Sequence, residues 1–360
     1  MNVIDLFAGC GGLSLGFVQA GYTIKKAVEI DSTIAETYFL NHPNVNVIVD
    51  DIKNISQSKI FKEGEADIIV GGPPCQGFSM AGARIREGFI DDPRNYLFEQ
   101  YFFVVKKVQP QIFVMENVKG ILTMHGGKIF KNIFKIFDGQ NYDMQYKIVK
   151  AVDFGIPQKR ERIVIIGVRN KAVNLDEVWD FTKSKILETF PDYFDAVTVQ
   201  DAIGNLPKVS ANGEVENPKP VTNYQRYLAS NESVLKNHNQ TNHSKLAVNR
   251  MSRISNGANF TSLEEKINSV HSGSYGRLCW NEQAPTITTR FDTPAGGRFI
   301  HPEENRTLSP REAARIQSFP DDFIFCGGKT SICKQIGNAV PPKISYFLAK
   351  LTENILKLDS

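Results

Sequence analysis

The chain has 360 residues, enough for one large α/β domain and a smaller companion, each with its own core. Its 41% hydrophobic and 22% charged residues are ordinary for a soluble globular protein, and no apolar run is long enough for a membrane span. A net charge of +3 does not by itself mark a nucleic-acid binder, so an anionic partner has to be met by local clusters of cations.

The stretch Val3 to Phe17 carries Asp5, has no basic leader and is broken by glycines, so it is not read as a signal peptide. Cys10, Cys75, Cys279, Cys326 and Cys333 are scattered without a Cys-x-x-Cys pair. That pattern argues against a disulfide framework or a metal site and for a reducing compartment such as the cytoplasm.

In chain order, Asn2 to Phe7 reads as a buried parallel strand running straight into Ala8-Gly9-Cys10-Gly11-Gly12-Leu13. The periodic segment Leu13 to Ala20 is then a helix stopped at Gly21. Strand, glycine turn and helix open a doubly wound fold, in which glycines let a ligand approach the backbone. A second strand, Lys26 to Ile30, ends in Glu29-Ile30-Asp31, where an acid can grip ribose hydroxyls. A third, Val45 to Val49, ends in Asp50-Asp51-Ile52, placed to meet an adenine edge. The turn lacks the third glycine of a dinucleotide fingerprint. It suits a ligand with ribose and adenine but no pyrophosphate, and S-adenosylmethionine is such a ligand.

Two more strand-like runs, Asp67 to Val70 and Ile112 to Met115, end in Gly72-Pro73-Pro74-Cys75-Gln76 and Glu116-Asn117-Val118. Strand ends of an α/β sheet form the crevice where ligands bind, so a thiol and a carboxylate are expected side by side there. The pairing suits addition of sulfur to an electron-poor ring while an acid protonates a ring nitrogen. Phe78 to Tyr96, with Arg84, Arg86 and Arg94 and with Gly82 and Gly88 following Gly77, reads as a mobile cationic loop over that pocket.

Beyond Val168 the composition shifts toward Asn, Ser and Thr with isolated aromatics, which reads as a smaller, irregular, β-containing domain. Arg226, Lys236, Lys245, Arg250 and Arg253 form a local basic excess suited to phosphates. The run Asn237 to His243 is dense in side chains able to read base edges. Ser309 with Glu312 predicts a capping-box helix over Pro310 to Gln317 with a structural role.

Six motifs in fixed order carry a resemblance. They are Asp5-Leu6-Phe7-Ala8-Gly9-Cys10-Gly11-Gly12, Gly71-Gly72-Pro73-Pro74-Cys75-Gln76-Gly77-Phe78-Ser79, Glu116-Asn117-Val118, Gln158-Lys159-Arg160-Glu161-Arg162, the segment Arg311 to Pro320, and Gln335 to Pro342. The chain resembles DNA cytosine-5 methyltransferases of the prokaryotic or phage restriction-modification type. The resemblance implies a doubly wound, Rossmann-like α/β domain over 1–175 and 330–360. It also implies a smaller target recognition domain over 176–329 and a DNA-binding cleft between the two.

It further implies transfer of the methyl group of S-adenosylmethionine to C5 of a cytosine flipped out of duplex DNA, leaving S-adenosylhomocysteine. Cys75 would add at C6, Glu116 would hydrogen-bond or protonate N3, and Arg162 would hold the base carbonyl oxygen. Cofactor contacts carry over to Phe7, Gly9, Gly11, Gly12, Leu13, Glu29, Ile30, Asp51, Ile52, Pro74, Leu97, Asn338 and Val340. DNA contacts are expected at Gln76, Ser79, Arg84, Gln158, Arg160, Arg277 and Arg290. The implied partner is double-stranded DNA, bound by a monomer with no membrane involved. A cognate restriction endonuclease acting on the same site without a stable complex stays open.

Two alternatives stand beside this reading. One is cytosine-5 methylation of transfer RNA, whose branch carries a Cys-Phe-Thr run absent here. The other is a non-catalytic DNA-binding protein of the same fold, against which the presence of Cys75, Glu116 and Arg162 argues.

Overall fold

The structure is a computed structural model, and it describes residues 1–74, 97–137, 140–265, 267 and 272–358. The expected sites Cys75, Gln76, Ser79 and Arg84, and the loop Phe78 to Tyr96, lie outside the described residues.

The described chain groups into two compact units. The first comprises Met1–Lys150, Glu161–Pro191 and Ile344–Ser360, and the second Ala151–Arg160 and Asp192–Lys343.

The first unit is built on strands β1 (Asn2–Leu6), β2 (Thr23–Glu29), β3 (Asn46–Val49), β4 (Ile68–Gly71), β5 (Ile112–Val118) and β6 (Tyr142–Lys150). Two further strands follow, the short β7 (Gln158–Lys159) of the second unit and β8 (Glu161–Arg169) of the first. The seven-stranded sheet has the order β3-β2-β1-β4-β5-β8-β6, with β8 antiparallel to both of its neighbours. The central strands are continuous apolar runs because both faces of a parallel sheet are covered. Ile68, Ile69, Val70, Ile112, Phe113, Val114 and Met115 are all fully buried.

The covering helices are α1 (Gly12–Gln19), α2 (Ser32–Asn41), α3 (Ile52–Ile55), α4 (Leu97–Val108), α5 (Lys128–Ile136) and α6 (Leu175–Thr189). On one face, Tyr101 and Phe102 of α4 pack edge-on against Phe113 of β5, with Phe137 closing the cluster. These rings form part of one continuous core with Ile4, Leu6, Ile69, Ile163 and Ile165.

In the second unit lie α7 (Val199–Ile203), α8 (Asn223–Leu228), α9 (Lys245–Ser252), α10 (Pro310–Ile316) and α11 (Lys329–Asn338), joined by long irregular segments and β9 (Val215–Glu216), β10 (Val234–Leu235) and β11 (Ala284–Pro285). The capping box at α10 is present: Ser309 Oγ accepts from Glu312 N, and the Glu312 carboxylate accepts from Ser309 N. The same carboxylate is gripped by Arg306, and this ion pair holds it down to about 2 against the opposing cost of burial.

The closing helix α12 (Pro342–Lys357) runs through the last residues of the second unit into the first. Within the first unit it packs hard on α1. A Cβ at Gly16 would stand 2.3 Å from Tyr346 N, so only glycine fits there. Tyr22 donates to the Ala349 carbonyl at 3.0 Å, and Ser345 donates to the Leu13 carbonyl.

The compact units depart from the bounds read in the sequence at three places, residues 151–160, 176–191 and 330–343. Helix α6 belongs to the first unit because Trp179 packs on Phe347, 4.6 Å between ring centres. Helix α11 belongs to the second, where Gly337 backs directly onto the Thr288 main chain. Among the described residues no helix is long and apolar enough to cross a membrane.

Candidate active site

The glycine turn after β1 is shaped by its neighbours. Gly11 has φ +94°, a left-handed conformation, and a Cβ there would lie 2.6 Å from the His42 ring. His42 Nε2 faces the Gly11 carbonyl at 3.2 Å, and burial pulls the imidazole down to about 4, so it is neutral near pH 7. Gly12 opens α1, and Leu13 is buried behind the turn. Phe7, at φ 59° and half-buried, turns the chain out of the strand.

At the end of β2, Glu29 accepts from Gly9 N and from Asp31 N, both at 2.9 Å, one on each carboxylate oxygen. Its pKa is raised by burial, with the two backbone N–H groups opposing. Ile30 beside it is 65% exposed, an apolar side chain left uncovered at a strand end. At the end of β3, Asp50 accepts from Asp51 N, and Asp51 caps α3 by accepting from Lys53 N. Ile52 points into the core. Phe7, Gly9, Glu29, Ile30 and Asp51 thus gather at the carboxyl ends of three adjacent strands, where open α/β sheets bind ligands. Leu97, at the start of α4, is buried in the same unit's core.

Under this turn lies a buried chain that the sequence reading did not single out. Asp5 Oδ2 accepts from Ser14 Oγ at 2.7 Å, and Ser14 Oγ shares a second 2.7 Å bond with Tyr38 OH. Burial raises the Asp5 carboxyl to about 7, with the Ser14 bond opposing and the Glu29 charge adding.

The end of β4 meets the end of β5. The strands pair in parallel from Ile68 opposite Ile112 to Gly71 opposite Met115, which sets Gly72 beside Glu116. The carboxylate oxygen Oε2 lies 3.4 Å from where a Gly72 Cβ would be. Asn117 donates to the Pro73 carbonyl at 3.1 Å, fastening the Gly-Pro-Pro segment to β5. Pro74 is half-buried and is the last residue described before Cys75. Arg162 enters from β8: its Nε is 3.0 Å from Glu116 Oε1, and its NH1 donates to the Glu161 carbonyl. Glu116 and Arg162, both singled out from the sequence, therefore lie side by side at the ends of neighbouring strands.

The residues expected on DNA sort differently. Gln158 is fully buried, bonded to Gln317 and to the Ile287 amide. Arg160 is 2% exposed and donates to the carbonyls of Gly337 and Ala339, straddling Asn338. Arg277 is buried and donates to the carbonyls of Ile254, His301, Glu304 and Met251 and to Asn305 Oδ1. Side-chain donors of all three are engaged inside the protein, by main-chain carbonyls and by the side chains of Gln317 and Asn305. Arg290 alone among the described DNA candidates is well exposed, at 66% of its side chain.

Part of the run Asn237 to His243 is likewise occupied, while Gln240 and Asn242 stay exposed. Asn237 makes a reciprocal pair with the Phe325 main chain, and His238 bridges Ser309 and the Pro207 carbonyl. Arg250 and Arg253 both pair with Glu265. Asn338 is exposed and Val340 buried, both in the second unit. Among the described residues no cluster of His, Cys, Asp or Glu could hold a metal ion.

Comparison with known proteins gives a consistent answer. A family model for C-5 cytosine-specific DNA methylase matches residues 1–354. The chain is 36% identical over 363 residues to the Type II methyltransferase M1.HphI of Haemophilus parahaemolyticus, covering all of this chain and 88% of that one. It is 35% identical over 378 residues to M.DdeI of Desulfomicrobium norvegicum, covering 97% and 88%. Among solved structures, an E. coli prophage protein described as a DNA modification methyltransferase superposes with a TM-score of 0.77 at 31% identity, covering 99% of each chain. The Dnmt2 methyltransferase of S. pombe, at 15% identity, a TM-score of 0.59 and 99% coverage of both chains, shares the fold. The chain belongs to the C-5 cytosine-specific DNA methylase family and is a DNA cytosine-5 methyltransferase.

Proposed function

We propose that this enzyme methylates C5 of a cytosine flipped out of duplex DNA within a specific sequence, through a covalent bond between Cys75 and C6. The observation that carries the reading is the Glu116–Arg162 pair beside Gly72-Pro73-Pro74, immediately before Cys75 in the chain. A carboxyl and a guanidinium at one strand mouth can serve a ring nitrogen and the adjacent carbonyl oxygen together.

The residues at the ends of β1, β2 and β3 fit S-adenosylmethionine. Glu29, held by two backbone N–H groups, suits ribose hydroxyls, and exposed Ile30 offers an apolar face to adenine. Asp51 and the turn from Phe7 to Leu13 would complete this part of the cradle, with Pro74 and Leu97. When bound, S-adenosylmethionine supplies an electrophilic methyl group.

Cytosine C5 is a poor nucleophile, and the protein's work is to change that. The Cys75 thiolate forms the S–C6 bond, and the displaced π electrons raise the density at C5. Glu116 holds a proton at N3, and Arg162 donates to O2, so the charge gained by the ring is spread over fixed partners. After methyl transfer the C5–H bond breaks, its proton passing to water and its electrons re-forming the C5–C6 double bond as the S–C6 bond breaks and Cys75 leaves as thiolate. This chemistry cannot reach a stacked base, which is why extrusion from the duplex is required.

Target recognition falls to the second unit, with Arg290 as an exposed cation there and the protein acting as a monomer. Relatives named Type II methyltransferases support a place in a restriction-modification system, opposite an endonuclease of the same specificity. The test is transfer of label from S-adenosylmethionine to unmethylated duplex DNA by the wild type and Cys75→Ser, followed by bisulfite sequencing. C5 methylation within one short recurring sequence, absent with serine, is the expected result. Label on transfer RNA but not on duplex DNA would overturn the substrate assignment.

A further inference from the structure

A buried lysine in the second unit has no part in the chemistry above. Lys343 is 3% exposed, and its ammonium lies 4.6 Å from the ring centre of Tyr193, 5.1 Å from Tyr227 and 5.6 Å from Tyr224. Three aromatic faces around one cation form a cage that favours the charged form. The ammonium also donates to the Gly155 carbonyl at 3.3 Å. Asp192 and Asp195 are the charged groups that favour its protonation.

The cage is itself fixed. Tyr193 donates to the Lys343 carbonyl, Tyr224 donates to the Arg315 carbonyl at 2.8 Å, and the Lys343 amide donates to Ser318 Oγ. Gly155 takes φ +59°, and a Cβ on it would lie 2.7 Å from the Tyr193 carbonyl oxygen and 2.9 Å from the Lys343 ammonium nitrogen. The carbonyl is thus presented to the lysine by a turn that only glycine makes easily.

What the cage joins gives it meaning. The backbone passes between the two units after Lys150, Arg160, Pro191 and Lys343. Gly155 lies in the excursion bounded by the first two of these points, Asp192 and Tyr193 follow the third, and Lys343 is the fourth. The excursion is closed at its base by Ala151 N donating to the Arg160 carbonyl at 2.8 Å. It carries Gln158 and Arg160, and the next residues are Glu161 and Arg162, the latter paired with Glu116.

We propose that Lys343 is a positioning residue for methyl transfer, whose caged ammonium fixes, through the Gly155 carbonyl, the excursion that leads into Arg162. Burial pulls the lysine down to about 8 despite the cage and the two aspartates, so the site costs stability on balance. A buried cation retained at such a cost is expected where it does something that an apolar side chain cannot. This assignment rests on the role given to Arg162 above, and its test is chosen to stand apart from it.

Full-length Lys343→Met and Tyr227→Leu proteins would be compared with wild type by amide hydrogen exchange, thermal unfolding and steady-state methyl transfer. Exchange within residues 151–160 should quicken by roughly fivefold or more in both variants. In Lys343→Met, kcat should fall about tenfold from misplacement of the excursion, with the KM for S-adenosylmethionine little changed. Its Tm should stay within about 2 °C of wild type or rise, since a buried charge has been removed. Unchanged exchange at 151–160 overturns the proposal whether or not the wild type methylates DNA. A fall in Tm that accounts for the lost activity overturns it too, because Lys343 would then be an ordinary core residue. A wild type without methyltransferase activity would count against the functional reading alone, and the exchange data would still decide the clamp.

Discussion

Arg162 Nε lies 3.0 Å from Glu116 Oε1, and the two residues reach each other diagonally across antiparallel strands. The register pairs Glu116 with Val164 and Arg162 with Val118, so neither side chain faces the other directly. Among the described residues no donor is aligned for a hydrogen bond to Oε1, so the contact with Arg162 is an ion pair without one. Glu116→Gln keeps the shape and removes the acid. It should lower kcat by about 10²–10⁴-fold while S-adenosylhomocysteine binds as in the wild type by calorimetry. Equal kcat for the two proteins would remove Glu116 from the chemistry.

The buried Asp5 makes a pH prediction. An unfolded carboxyl ionises near pH ~4, whereas burial holds Asp5 protonated to about 7. The folded state therefore keeps its proton longer, and stability falls as pH rises through this window. The penalty is absent below the unfolded value and complete above about 7. Asp5→Asn retains an oxygen for Ser14 and cannot ionise. Its unfolding free energy relative to wild type should climb between pH 4 and pH 8 by an amount on the order of 2–4 kcal/mol, read by denaturant titration. A pH-independent difference between the two proteins would contradict it.

Arg277 and Arg290 should separate cleanly. Arg290→Ala removes an exposed cation, so Tm should not move while the slope of log affinity for DNA against log salt shrinks by about 1. Arg277→Ala strands several buried carbonyls, each costing about 1–3 kcal/mol, and should lower Tm by several degrees or prevent folding. The reverse pattern would place Arg277 on DNA after all.

Arg160 bonds the carbonyls on both sides of Asn338, which the sequence reading expects on the cofactor, and on that expectation its loss should be felt by the cofactor before DNA. In Arg160→Ala the KM for S-adenosylmethionine should rise about tenfold, as two buried acceptors lose their donor and the segment drifts. DNA affinity measured without cofactor should change by less than about twofold. A selective loss of DNA affinity would restore the substrate-side role that sequence alone suggests.

Local pattern was enough to place much of this protein. The apolar runs ending in Gly72-Pro73-Pro74 and Glu116-Asn117-Val118 became β4 and β5, because a buried parallel strand reads as an unbroken hydrophobic string. Ser309 and Glu312 made their capping box, since both groups lie within one turn of chain. Glu116 and Arg162 were each singled out by motif, but their pairing was not, because its diagonal geometry depends on β8 lying antiparallel between β5 and β6. Nothing in the strand's own sequence sets that placement.

The arginines show most clearly where local reading stops. Arg160, Arg277 and Arg290 are the same residue type in similarly polar stretches, and only one of the three remains exposed. Whether a guanidinium faces solvent or main-chain carbonyls is decided by segments far away in sequence, such as Gly337 for Arg160. The same holds for Lys343, whose tyrosine cage is assembled from residues more than a hundred positions earlier. Sequence by itself determined the strands β1 to β5 and the residues at their ends, because those follow from local burial and turn geometry, while the half-exposed β6 left no such apolar run. Tertiary structure alone decided which charges are buried and what they hold, because desolvation and hydrogen-bond satisfaction depend on the whole fold.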